Sequence, residues 1–423
     1  MEEQSVGISD ISLYVPAPSM ELETLVTHRV ADNPDLERRL RRAVDTTGQI
    51  SIRYPELWQD PATLSAEAVK TLASQGNDLS HSRYLAVGTE TSVDHSKPIA
   101  AYVQGMMQQS DVSIPEGIST FQVQHACAGG TIAMLSVGAL LRAASRDDDQ
   151  GLVVCSDIAR YDAPSTAEIT QGAGAVGMLV ERNPKLLEVD ISTQGYASQD
   201  VDDFFRPLGS TTAKVKGRYS VQCYNDALES AFRDHASRAG KDPAELLHET
   251  DMFVLHVPFY RMALTAIRNL LGKFTDYTEE QMDAFLSERG FEEALQPIRR
   301  IGNIYSGSAY MAMYFLLKQQ YETHGRDIVG KRLMLGSYGS GNTMIVLSAR
   351  VAEGAPEVIS RWDSDAVLHG TRETDMATYE QFLEMPLVAE EYARRLDRDA
   401  VPAGSFYLDA LREDGYRQYL LKK

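Results

Sequence analysis

The segment Gln122-Val123-Gln124-His125-Ala126-Cys127-Ala128-Gly129-Gly130 reads as an apolar strand that ends, an elbow that carries a cysteine, and two glycines that open a helix. The apolar positions beyond it keep helical spacing, which predicts a helix over Gly130–Ser145. A strand passing directly into a helix is the working unit of an α/β fold, and the pattern extends both ways. Upstream, a strand over Gly7–Val15, helices over Asp32–Asp45 and Ala62–Ser74, a strand over Tyr84–Gly88, a helix over Pro98–Gln109 and a strand over Ser119–Gln124 are expected. Downstream, the Val-rich runs Gly151–Ser156 and Gly174–Glu181 are apolar on both faces, as strands are inside a sheet covered on both sides. A polar, acidic stretch, Tyr196–Gly217, separates this half from a second series. That series comprises a helix Tyr219–Ala239, a strand Met252–His256, helices Pro258–Leu271 and Ile304–Tyr321, and strands Arg332–Ser337 and Met344–Val351. The halves repeat one style without repeating residue identities.

Four positions could carry chemistry. Cys127 stands where a helix N-terminus supplies unpaired N–H groups and positive potential, which lowers a thiol pKa, although a cysteine among apolar residues is also met as an inert core residue. His256 ends an apolar strand just before Pro258, at the crevice where open α/β sheets bind ligands; a hydrogen-bonded core histidine is the plainer alternative. Asn303, in the small-residue loop Gly302–Ser308, has a side chain able to donate to a carbonyl or to cap the next helix. Glu90 emerges directly after a buried strand, so it is either paired structurally or held as a base with a raised pKa. Cys155 and Cys223 fall within a strand and a helix and read as core.

The 423 residues carry 43% apolar and 24% charged residues, enough for a large core without metals or crosslinks. With 41 Lys and Arg against 60 Asp and Glu the net charge is −19, which disfavours nucleic acid and anionic membranes as partners. The best apolar run, Ile132–Leu141, falls short of the roughly 20 residues of a membrane span, and the chain opens Met1-Glu2-Glu3-Gln4; a cytoplasmic protein is expected. Three widely spaced cysteines with no Cys-x-x-Cys pair fit a reducing compartment and argue against structural zinc.

Nine ordered blocks add a family resemblance over nearly the whole length: Gly88–Lys97, Gln124–Gly130, Ser156–Tyr161, Thr170–Gly174, Asp203–Pro207, Ser220–Tyr224, His256–Phe259, Gly302–Tyr305 and Ser337–Gly341. The chain resembles the bacterial hydroxymethylglutaryl-CoA synthases of the thiolase superfamily. The resemblance implies a five-layered αβαβα body of two pseudo-repeated halves with mixed sheets, residues 1–195 holding the glutamate and cysteine and residues 196–423 the histidine and asparagine. It implies a homodimer acting on acetyl-CoA and acetoacetyl-CoA, the CoA thioesters being substrates and no cofactor or metal being needed. It assigns Cys127 as nucleophile, Glu90 as general acid/base, and His256 and Asn303 as substrate polarisers. By the same matching Tyr161, Thr170, Ser220 and Ser340 would line the acyl and pantetheine channel. Two positions depart from many relatives: Ala128 follows the nucleophile where a bulkier residue is common, and Arg261 and Thr265 stand where two lysines meet CoA phosphates. Arg261 keeps one of those charges, and the Arg38–Arg42 run, most simply solvated surface, could supply others. The alternative within the family is a polyketide β-branching synthase using acyl-carrier-protein thioesters, which the acidic net charge disfavours. A ketoacyl synthase or thiolase would need a second His or Cys in place of Glu90, and a non-catalytic scaffold would have no use for all four residue types.

Overall fold

The computed structural model describes residues 5–386 and 388–423. Strands Gln150–Ala159 and Gly172–Arg182 are buried along nearly their whole length, as their doubly apolar runs require. Gln150–Ala159 runs antiparallel to Gly172–Arg182 and parallel to Ser82–Gly88, and Gly172–Arg182 runs antiparallel to Val6–Tyr14. The second half builds the same order with the same senses. Arg332–Gly339 is antiparallel to Thr343–Val351 and parallel to Met252–Leu255, and Thr343–Val351 is antiparallel to Gly195–Ser198. The short strand Leu187–Val189 pairs with both Val6–Tyr14 and Thr343–Val351 and joins the halves, while Ser119–Val123 adds an edge strand beside Ser82–Gly88. The pseudo-repeat, invisible in residue identity, is explicit in strand order.

Alternation of side chains along the strands sets the layers. Ala86, Val153 and Cys155 face a core containing helix Gly129–Ala144, whereas Leu85, Val87, Leu152 and Val154 face a core containing helix Pro61–Ser74. Helix Ser308–His324 packs on Met252–Leu255, and Gly217–Arg238 on Thr343–Val351. Helices, sheet, helices, sheet and helices thus succeed one another, the five-layered thiolase-like α/β arrangement expected.

Three sequence expectations need correction. The helix expected over Asp32–Asp45 is interrupted: helix Leu22–Asp32 ends at Asn33, whose Oδ1 accepts from Asp35 N at the head of a short turn Pro34–Leu36, and Glu37–Thr47 begins anew. Pro34 has no N–H to continue the first helix. The stretch Tyr196–Gly217 does more than separate the halves. It supplies strand Gly195–Ser198 and a hairpin of Phe204–Phe205 with Lys214–Val215, and its charges are spent on ion pairs, Lys214 with Asp162 and Lys216 with Asp202. Finally, residues 372–421 return to the first half. Arg372–Glu373 pairs with Pro18–Glu21, and the hairpin of Phe406–Leu411 with Arg417–Leu421 covers the helix Pro61–Ser74.

Candidate active site

Topological counterparts place the candidate residues. Ser82–Gly88 and Met252–Leu255 occupy equivalent positions in the two halves; Glu90 follows the first and His256 the second. Cys127 precedes helix Gly129–Ala144, and Asn303 precedes helix Ser308–His324. Each of these two entries contains a non-glycine residue with positive φ, Ala126 at 39° and Tyr305 at 42°. Such conformations cost about 1–3 kcal/mol apiece and persist where surrounding structure imposes them. Close backbone contact does so here: a Cβ on Gly88 would lie 2.2 Å from Gly130 N, and one on Gly130 2.2 Å from Cys155 Sγ. Only glycine lets the strand before Glu90 touch the helix after Cys127.

A cavity of about 240 Å³ opens between these ends. Cys127, Tyr161, Thr170, Ser220, His256, Asn303 and Ser340 all line it, so seven of the nine residues singled out in the sequence meet there. Among the described residues its lining carries no carboxylate, ammonium or guanidinium group. Tyr161, Phe204 and Tyr305 form an aromatic wall with Cys127, their rings edge to face at centroid separations of 5.7–6.5 Å. Glu90 is outside that lining, buried and near Cys127, and Arg261 is exposed on helix Tyr260–Phe274 next to the lining residue Met262.

The electrostatics differ from the sequence reading at Cys127. Burial, with the carboxylates of Asp157, Glu90 and Asp203 adding to it, pushes the Cys127 thiol well above its ordinary range; the expected lowering by the helix N-terminus is outweighed. Burial also lifts Glu90 to about 7, with Arg206 pulling it down and Asp157 pushing it up. Glu90 is paired as well as raised, since Arg206 Nε and Nη2 donate to its Oε1 and Oε2 at 3.0 and 2.8 Å. Burial lowers His256 to about 3, so its ring is neutral at working pH, with Nδ1 unpartnered among the described residues. Asn303 Oδ1 accepts from Tyr305 N and Ser308 Oγ, both at 2.9 Å, which leaves Nδ2 as the donor for a ligand.

Two residues that the sequence reading assigned no role organise the site. Asp157, fully buried, accepts through Oδ1 from Glu90 N and Thr91 N at 2.7 and 3.0 Å and through Oδ2 from Ser306 N at 3.0 Å, binding the loops of the two halves together. Asp203 accepts from Tyr338 Oη, Gly341 N and Ser220 Oγ at 2.8, 2.9 and 3.2 Å, so Ser220 is held by a carboxylate. Asp157 lay within a block quoted for its resemblance, in an otherwise apolar strand; a lone acid in a doubly buried strand was the available signal.

Residues 2–185 match the family model for the hydroxymethylglutaryl-coenzyme A synthase N-terminal region, and residues 187–289 and 283–422 match the C-terminal one. The chain is 30% identical over 376 residues to the hydroxymethylglutaryl-CoA synthase of Enterococcus faecalis, covering 89% of this chain and 91% of that protein. It is similar to the solved structure of MvaS in complex with 3-hydroxy-3-methylglutaryl coenzyme A, at 32% identity and a TM-score of 0.85, covering 99% and 100% of the two chains. The curacin biosynthetic pathway HMG synthase shares the fold, with a TM-score of 0.83 at 23% identity over 99% and 100%.

Proposed function

The chain belongs to the hydroxymethylglutaryl-CoA synthase family, and from that premise we propose how its residues divide the condensation of acetyl-CoA with acetoacetyl-CoA and water into 3-hydroxy-3-methylglutaryl-CoA and CoA, the reaction of the mevalonate route. Cys127 attacks the acetyl thioester, the C–S bond to CoA breaks as the proton given up by the Cys127 thiol passes to the departing sulfur, and acetyl-Cys127 remains in the cavity as CoA leaves as its thiol. Acetoacetyl-CoA then enters. Glu90 removes a proton from the acetyl methyl group, the resulting carbanion attacks the ketone carbon of acetoacetyl-CoA, and the alkoxide so formed takes that proton back from Glu90 to become the tertiary hydroxyl. His256, neutral, and Asn303 Nδ2 donate to substrate oxygens as negative charge develops on them. Water cleaves the thioester to Cys127, giving the new carboxylate and the free thiol. The observation that carries this reading is the meeting of Cys127, His256 and Asn303 on one cavity with Glu90 buried near Cys127.

Tyr161, Thr170, Ser220 and Ser340 line the acyl and pantetheine channel, and the exposed Arg261 meets a CoA phosphate. The chemistry needs no cofactor, since each step is a proton or acyl transfer between groups already named. Strand Ser119–Val123 is an unpaired sheet edge beside helix Gly129–Ala144, which leaves Leu140 exposed; these surfaces support a homodimer. The stretch Ala126–Ala143 is apolar and long enough to cross a bilayer by composition, yet it carries Cys127 and its helix packs on Ser82–Gly88 and Gln150–Ala159, the place of a core helix. All three thiols are unbridged, in keeping with the cytoplasm.

Incubation with acetyl-CoA, followed by intact mass measurement and peptide mapping, tests the assignment. One acetyl group on Cys127, discharged by acetoacetyl-CoA, is expected; an acetyl group on Cys155 or Cys223 overturns it. Acetyl-carrier protein as a parallel donor separates the polyketide-type reading, which requires it to outperform acetyl-CoA.

A further inference from the structure

The block Asp203–Pro207 was quoted for its resemblance and given no function, yet it reaches the general base. Asp203 is fixed by Tyr338, Gly341 and Ser220, Phe204 is locked in the aromatic wall, and Phe205 points outward at 45% exposure. Two residues beyond Phe204, on the same face of the extended chain, Arg206 closes a two-pronged ion pair on both Glu90 oxygens, and its Nη1 donates to Thr211 O at 2.7 Å. The pair bridges 116 residues of sequence and is largely buried, with the Arg206 side chain 16% exposed and that of Glu90 6%. Among the described residues the other groups near Glu90 are Asp157, Cys127, Tyr161 and Tyr305, none of them a cation, and Arg160 lies near Arg206. Burial favours the protonated acid, which cannot take a methyl proton.

We propose that Arg206 is a positioning residue for the general base, holding both Glu90 oxygens in one orientation and keeping the carboxylate charged until the acetyl methyl proton arrives. The inference rests on Glu90 being that base. Glu90 gains one proton and Arg206 keeps its charge, so the pair passes from neutral to cationic as the carbanion forms, and an unneutralised positive charge stands near the new negative one.

Single-turnover condensation from preformed acetyl-enzyme, profiled against pH, tests this in Arg206→Gln, Arg206→Lys and Glu90→Gln, with acetylation by acetyl-CoA measured beside it. In Arg206→Gln the ascending limb is expected to move to higher pH by about 1–3 units, with condensation at fixed pH below the limb falling about tenfold per unit, while acetylation is kept. Arg206→Lys should hold the limb near its original place and lower the plateau, because an ammonium supplies charge without the fork. An unmoved limb in Arg206→Gln, acetylation lost in step with condensation, or a Lys variant with unchanged limb and plateau overturns the proposal. If Arg206→Gln does not fold, the Lys variant and an infrared titration of the Glu90 carboxylate band against Glu90→Gln decide it. Glu90→Gln separates the two readings: near-normal condensation there removes Glu90 as base, whereas its loss with an unmoved limb in Arg206→Gln removes only the role of Arg206.

Discussion

Glu90 must be ionised to accept a proton, and burial works against that state. Replacing it by Gln keeps shape and hydrogen bonding but removes the base. Acetyl-Cys127 should therefore form and accumulate while condensation falls about 10²–10⁴-fold, as mass spectrometry and product assay would show. Because the base form grows as pH rises through about 7, condensation from preformed acetyl-enzyme should climb across neutrality and lose that limb in the Gln variant. Burial pushes the Cys127 thiol up, against the sequence expectation. With its pKa raised well above the ordinary value, Cys127 should be alkylated by iodoacetamide at a rate that keeps rising through the alkaline range, without a neutral plateau; such a plateau would restore the helix-terminus expectation. The sequence exposed the helix N-terminus beside Cys127, but not the burial or the three carboxylates drawn in from positions 90, 157 and 203, which depend on tertiary contacts. The same limit hid Arg206 as a partner of Glu90, since no local rule links residues so far apart.

Strand ends and helix starts carry the chemistry, and they are where the sequence was most legible. Each of the four candidates was found at such a junction, and each lies on the cavity or, for Glu90, near Cys127. Gly88 tests the geometry of one junction. An alanine there would place its Cβ against the backbone of Gly129 and Gly130, which has no rotamer to yield, so strand and helix must separate. Gly88→Ala should lower stability by about 1–3 kcal/mol in urea unfolding and slow acetylation of Cys127 by displacing its elbow. Helix Tyr260–Phe274 presents Arg261 to solvent and offers only Thr265 one turn later. Arg261→Ala should raise KM for CoA thioesters roughly tenfold, about 1.4 kcal/mol, and leave pantetheine thioesters unaffected. The Asn33-Pro34 break carried its own turn signal, but the strong helical character on either side masked it. The polar stretch Tyr196–Gly217 looked like a spacer because the partners of its cations Arg206 and Lys214, Glu90 and Asp162, lie outside it and meet it only in the folded chain.

At the scale of the whole molecule, strand order made the repeat plain where residue identity could not, because a sheet position constrains burial and alternation and accepts many side chains. The return of residues 372–421 to the first half was not legible, as its contacts are long-range and partly polar. Asp60 concentrates them: it caps helix Pro61–Ser74 and accepts from Arg417 Nη1 at 2.9 Å and Tyr419 Oη at 2.6 Å. Asp60→Ala should cost about 2–4 kcal/mol by urea unfolding, the cap and a mostly buried ion pair together, while acetylation under native conditions persists. The uncharged cavity lining bears on turnover. Acyl groups arrive as neutral thioesters, and the last step leaves a carboxylate against a lining without a cation, where Arg206 is already committed to Glu90 and where Asp157 and Asp203 lie near Cys127. The site thus grips its reactants by shape and hydrogen bonds and repels its product by charge, so that hydrolysis doubles as the stroke that empties the enzyme.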